Sequence, residues 1–151
     1  MKRTALVPVL LVSAMLFGSL SSPEAGELPP SGSLPLSAIL RAVEERALGA
    51  IAEVEFDDGY WEVKVCDGGS CQKLYLAPSS GDEWRRRSSD PAEVPPASAL
   101  RLSALVQALE TRETGVITEI EFDDGFWDVE LRREGQRVKL SLDPLTGAPR
   151  R

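Results

Sequence analysis

Few residue types in this chain could do chemistry: two cysteines, Cys66 and Cys71, a large set of carboxylates, and no histidine. The missing imidazole removes the commonest general base, the usual activator of a nucleophile and the commonest transition-metal ligand. Triads and zinc centres are therefore not expected. No glycine-rich phosphate loop and no nucleophile elbow occurs, because the glycines fall at turns and helix ends. Paired carboxylates for glycoside hydrolysis would have to face one another at about 5 to 9.5 Å inside a sugar cleft, and nothing in the spacing predicts a cleft. The expectation is a non-enzymatic protein with no catalytic residue, no metal centre and no cofactor.

The cysteines flank Asp67-Gly68-Gly69-Ser70, where Gly-Gly marks a tight hairpin turn. That register sets Cys66 opposite Cys71 on the solvent face, in a non-hydrogen-bonded pair with Cα atoms about 4.5 Å apart. Such a separation lies at the short end of the disulfide range of about 4.4 to 6.8 Å, and a structural disulfide is expected. The carboxylates alternate with apolar residues: Glu53, Glu55, Asp57 and Glu62, then Glu119, Glu121, Asp123, Asp128 and Glu130. Alternation turns them all to the outer side of strands. Tyr60 and Phe126 fall on outward positions beside them, and an exposed aromatic next to charge is a contact anchor. Tyr60, Phe126, Glu55, Asp57, Glu62, Glu121, Asp123 and Asp128 are thus the candidate partner-binding residues. A hard cation held by oxygen ligands is the alternative, although carboxylates strung along strands do not converge as they do in a binding loop.

The elements that must position these groups come twice. At an offset of 66 residues, Glu53-Val54-Glu55-Phe56-Asp57-Asp58-Gly59-Tyr60-Trp61 recurs as Glu119-Ile120-Glu121-Phe122-Asp123-Asp124-Gly125-Phe126-Trp127, and residues 36–85 lie over 102–151 with 23 identities in 50 ungapped pairs. Leu36, Ile39, Leu40, Val43 and Ala47 in the first copy, and Leu102, Leu105, Val106 and Leu109 in the second, form one helical stripe each. Each helix is predicted to stop near Gly49 or Gly115. Asp58-Gly59 and Asp124-Gly125 are type I′ hairpin signals that set Phe56 opposite Trp61 and Val54 opposite Val63. A third strand, 72–77, follows Gly68-Gly69, and Glu134-Gly135 plays the same part in the second copy. Phe and Trp read as core anchors. The predicted fold is α+β: two tandem repeats, each one helix packed on a three-stranded antiparallel meander. Arg132 and Arg137 stand where the first copy has its cysteines, so the fold itself does not need the disulfide.

Lys2 and Arg3, an apolar run of about a dozen residues and then small residues make a secretory leader at 1–22, too short to span a bilayer. No cysteine follows the run, so no lipoprotein site is read. The division is a polar linker at 23–33, unit one at 34–85, a proline-rich linker at 86–97 and unit two at 98–151. With the leader gone, 15 basic residues face 24 acidic ones, a formal charge of −9 against −7 for the whole chain. Such a charge repels phosphate backbones and anionic lipid. A protein partner is expected, with no nucleic acid and no membrane once the leader is cleaved, in a periplasmic or secreted setting where a disulfide persists.

The strand opened by Ile51 or Ile117, the Phe-Asp-Asp-Gly-aromatic-Trp hairpin and the segment Asp143-Pro144-Leu145-Thr146-Gly147 resemble the PepSY family. The first unit keeps Pro78 and Gly81 of that closing segment, with Ala77 and Ser80 in place of the Asp and Thr. The resemblance implies an exported bacterial protein that inhibits or regulates a peptidase, or acts at the cell surface. Paired helix-and-sheet units are also similar to the beta-lactamase inhibitory proteins, which act by binding. The family implies no catalytic residues.

Overall fold

A computed structural model describes residues 27–112 and 115–150; the leader expected at 1–22 and the start of the 23–33 linker lie outside the described residues. Among those described, no helix is long and apolar enough to cross a membrane. The elements are α1 (Leu36–Glu45), β1 (Ala50–Asp57), β2 (Tyr60–Asp67), β3 (Ser70–Leu76), β4 (Glu83–Ser89), α2 (Leu102–Arg112), β5 (Val116–Asp123), β6 (Phe126–Arg133) and β7 (Gln136–Leu142).

Two separate modules, each a helix on a three-stranded meander, are not what forms. All seven strands join one antiparallel sheet in the order β4-β3-β2-β1-β5-β6-β7, and both helices share a single hydrophobic core with it. The physical reason is edge satisfaction. A lone meander would leave β1 or β5 as an unpaired apolar edge, and each covers the other, with Val54 opposite Ile120, Glu53 opposite Glu121 and Glu55 opposite Glu119. Every one of those pairs joins the first copy to the second at a two-fold-related position. A fourth strand, β4, then extends β3, so residues 86–89 of the expected linker are sheet. Its counterpart in the second half is a bridge from Leu142 to Pro149.

Within each half, the hairpins have the register that the turn residues dictate. Phe56 faces Trp61 and Phe122 faces Trp127, and each pair of rings meets edge to face at 5.1 Å. Trp61 and Trp127 are 2% and 1% exposed. Asp58 and Asp124 both sit at φ 49°, the left-handed conformation a type I′ turn requires. Gly49, predicted as a helix stop, has a different duty: α1 ends at Glu45, and a Cβ on Gly49 would lie 2.3 Å from the Cys66 carbonyl oxygen. Only glycine lets the chain pass β2 so closely.

The helices lack capping residues of their own; Pro35 precedes α1 and neither first turn is acidic. Each borrows a carboxylate from the other. Glu44 of α1 accepts from the Ser103 amide (3.1 Å) and hydroxyl (2.5 Å) at the start of α2, and Glu110 of α2 accepts from the Ser37 amide at the start of α1 (3.4 Å). Arg41 donates to Gln107 between them, 3.1 Å. A carboxylate at a helix N-terminus satisfies an orphan N–H and complements the helix dipole. The proline-rich segments are tied down in the same paired way: Glu27 accepts from the Gly59 amide, and Glu93 from the amides of Asp124 and Gly125.

Because the halves share sheet, core and helix caps, thermal and urea unfolding followed by tryptophan fluorescence and by circular dichroism are expected to give one coincident transition. Two separable transitions would overturn the single-sheet fold. Glu44→Ala is expected to lower stability by about 1 kcal/mol, in the range of lost N-caps.

Candidate functional site

The helices cover one face of the sheet, and strand parity sends the polar side chains to the other. That open face is ordered in rows across the strands. One row runs Arg85, Tyr75, Glu62, Glu55, Glu119, Glu130, Lys139, and the next runs Arg87, Lys73, Lys64, Glu53, Glu121, Asp128, Ser141. Four glutamates in succession therefore lie side by side at the centre of the first row, with three more carboxylates beside them.

Some of this charge is neutralised locally. Lys64 meets Glu53 at 2.5 Å, and Lys73 reaches Glu62 at 2.7 Å and Glu53 at 3.8 Å. Burial draws the Lys73 ammonium down, but the hydrogen bond and charge of Glu62, together with the charges of Glu53 and Glu55, outweigh it and hold its pKa above the usual lysine value. Glu130 is buried and bound by Arg137 at 2.8 Å, with Arg132 at 3.9 Å and Lys139 at 4.0 Å. Among the described residues, Glu55, Glu119, Glu121 and Asp128 make no such pair. Burial and then the opposing Glu119 push the Glu55 pKa above the ordinary glutamate value; burial and then Glu53 do the same to Glu121. Glu119, Glu121, Asp128, Glu130, Lys139 and Ser141 line a shallow cavity of about 260 Å³ on this face.

Of the residues picked out from the sequence, Glu55, Glu62, Glu121 and Asp128 converge at the centre, where Glu53, Glu119 and Glu130 join them. Asp57 with Tyr60, and Asp123 with Phe126, do not. They pair across the hairpin ends, and because β1 and β5 are antiparallel those ends lie about 20 Å apart, six residues of strand. Neither aromatic stands free. Tyr60 stacks on Trp84 with centroids 5.1 Å apart, and the Arg150 guanidinium lies 4.4 Å from the Phe126 ring. With a single sheet there is no cleft between two sheets for a partner to enter. Trp84 and Arg85 close the expected first unit and Arg87 lies at the start of the expected linker, and no alternation of apolar and polar residues marks them as a strand.

Cys66 and Cys71 are disulfide-bonded, with Cα atoms 4.1 Å apart. They are not on a solvated face, as their parity suggests. A bulge turns Ala52 towards them, and Ala92 of the segment leaving β4 covers them. The bond belongs to an oxidising compartment. Glu93, Asp123 and Asp124 bring carboxylate oxygens within 4.8 Å of one another, but both Glu93 oxygens are already taken by turn amides.

No protein-family model matches the chain, and no curated protein matches it. A solved structure of a lipoprotein candidate from Clostridium difficile 630 is similar at 12% identity, with a TM-score of 0.48, over 84% of this chain and 97% of that one. A likeness of that degree carries no argument about this protein.

A carboxyl whose folded-state pKa is raised binds its proton more tightly in the folded state than in the unfolded one, so its contribution is favourable at low pH and is lost as pH rises through the folded value. Glu55 thus costs stability at neutral pH. Glu55→Gln is expected to raise stability by about 0.5 kcal/mol at pH 7, the scale of relieving directly opposed like charges. The gain should vanish below the ordinary glutamate pKa of 4.5; urea titrations at both pH values test it. Glu83 acts oppositely: the hydrogen bond from Arg86, opposed by burial and reinforced by the hydrogen bond from Arg46 and both guanidinium charges, holds it at about 2, so its stabilisation is present above 4.5 and fades as pH falls towards 2. Reducing the disulfide is expected to cost about 2 kcal/mol, the loop-closure value for so short a ring.

Proposed function

We propose that this chain is a non-enzymatic binding module of a periplasmic or secreted setting, which engages a basic segment of another protein on the open face of its sheet. The observation that carries this reading is the group of Glu55, Glu119, Glu121 and Asp128, held side by side without an ion pair among the described residues, while Lys64, Lys73 and Arg137 pair with their neighbours and only Lys73 and Lys64 act from farther off on Glu55 and Glu121. Like charges directly opposed are unfavourable, and a cationic ligand laid across the rows relieves that repulsion. The gain is in the complex and not in the free protein, as a binding surface requires. The PepSY-like motifs suggest a peptidase as the class of partner, inhibited or regulated by occupation. The surface argument does not depend on that choice.

A hard cation is the second reading, for which the oxygens of Glu93, Asp123 and Asp124 lie within 4.8 Å of one another, although both Glu93 oxygens accept from turn amides. These lie at a hairpin turn, away from the central four, which separates the two readings experimentally. Peptides alternating lysine with serine are expected to bind the protein in a salt-sensitive manner, and Glu55→Gln with Glu119→Gln to weaken them about tenfold. Binding that survives the double variant would sink the proposal. Millimolar calcium is expected to leave the melting temperature nearly unchanged; a rise abolished by Asp124→Asn would instead favour the cation site.

A further inference from the structure

The free edge of β4 carries charge of the opposite sign. Among the described residues no strand pairs with its outer side, so a row of backbone donors and acceptors is left open. The strand reads Glu83-Trp84-Arg85-Arg86-Arg87-Ser88-Ser89, three consecutive arginines in a chain of net charge −7. Their environments differ. Arg86 turns towards the helix side, where it binds Glu83 through Nε and Nη2, each at 2.9 Å, and Gln72 at 3.3 Å. Arg85 and Arg87 turn to the open face, and each guanidinium lies 5.7 Å from the Tyr75 ring. The nearest carboxylate in their rows, Glu62, is already held by Lys73. Among the described residues neither Arg85 nor Arg87 has an acidic partner. Beside them Trp84 stacks on Tyr60 and remains 61% exposed.

Arginines on an edge strand can serve simply to prevent sheets from joining. Two β4 strands pairing antiparallel about Arg86 would set Arg85 against Arg87, and the edge at β7 presents Arg137 and Lys139. Neither edge suits a second copy of this chain. An acidic strand meets the opposite situation. Arg85 and Arg87 are alternate residues on one face, so carboxylates at alternate positions of an extended segment match them, while the backbones complete the sheet. Exposed tryptophan and arginine are the residue types that dominate binding energy.

We propose that β4 takes up an acidic, extended peptide segment by strand addition, with Arg85 and Arg87 as its charge readers and Trp84 as its apolar anchor. This surface is distinct from the central carboxylates and of opposite sign, so it stands or falls independently of the cationic-ligand reading. The probes are peptides that alternate glutamate with valine, with peptides alternating lysine and valine as the control, titrated against the full chain while amide hydrogen exchange is followed. The glutamate peptides are expected to bind, to slow exchange of amides in residues 83–89, and to weaken at least tenfold on R85E/R87E and on Trp84→Ala. Circular dichroism unchanged from the parent shows that the variants are folded, as substitution at exposed positions implies; if R85E/R87E unfolds, Arg85→Gln with Arg87→Gln takes its place. No binding, binding unchanged in these variants, equal binding of the lysine control, or binding without slowed exchange in β4 overturns the proposal.

Discussion

Three residue pairs between β1 and β5 decide what the rest of the molecule must do. At their centre Val54 faces Ile120, both fully buried, and burying two such side chains contributes on the order of 3 to 6 kcal/mol. On either side the same pairing sets Glu53 against Glu121 and Glu55 against Glu119. The penalty of two like-charge pairs is up to about 2 kcal/mol, smaller than the apolar gain, so the sheet closes and the repulsion persists. A two-fold arrangement leaves no other choice: pairing a strand with its own copy about an apolar residue places its charged residues against those of the copy.

Everything on the open face responds to that constraint. The first half answers with lysines, Lys64 on Glu53 and Lys73 on Glu62. In the second half the position matching Lys64 is Glu130, which makes the local charge worse, and this glutamate is sequestered by Arg137 and Arg132 where the first half has its disulfide. Neutralisation is therefore lopsided, and the uncompensated carboxylates gather at β1, β5 and the start of β6. On the other face the helices capture each other's amides through Glu44 and Glu110. Neither half is capped without the other, which ties the open face to the integrity of the whole.

Local chemistry was legible in the sequence and the assembly was not. The Asp-Gly turns gave hairpins with Phe56 on Trp61 and Phe122 on Trp127, and Gly68-Gly69 brought the cysteines together. These are short-range consequences of turn geometry and period-two alternation. The joining of β1 to β5 carries no such signal, because an apolar strand edge says that it will be covered, not by what. β4 was illegible for a different reason: Trp84 to Ser89 lacks alternation, since its outer neighbours are solvent on both faces. Glu27-Leu28-Pro29-Pro30 matching Glu93-Val94-Pro95-Pro96 was a visible sign that the supposed linkers belong to each half, and the two glutamates prove to perform the same task at the two hairpin turns.

Charge on the open face is thus segregated, negative along the centre and positive along β4 and β7, within a protein of net negative charge. Segregation contributes little to folding: exposed pairs are worth at most about 1 kcal/mol each, and interleaving the same residues would have been more stable. What it would give the proposed binding module is discrimination. A ligand of uniform charge gains at one zone and loses at the next, so affinity goes to a surface with the complementary order of signs, and mismatched partners pay for juxtaposed like charges. In the binding proposed above, the arrangement that the β1–β5 pairing imposes as a cost to the free protein would be the feature by which a partner is told apart.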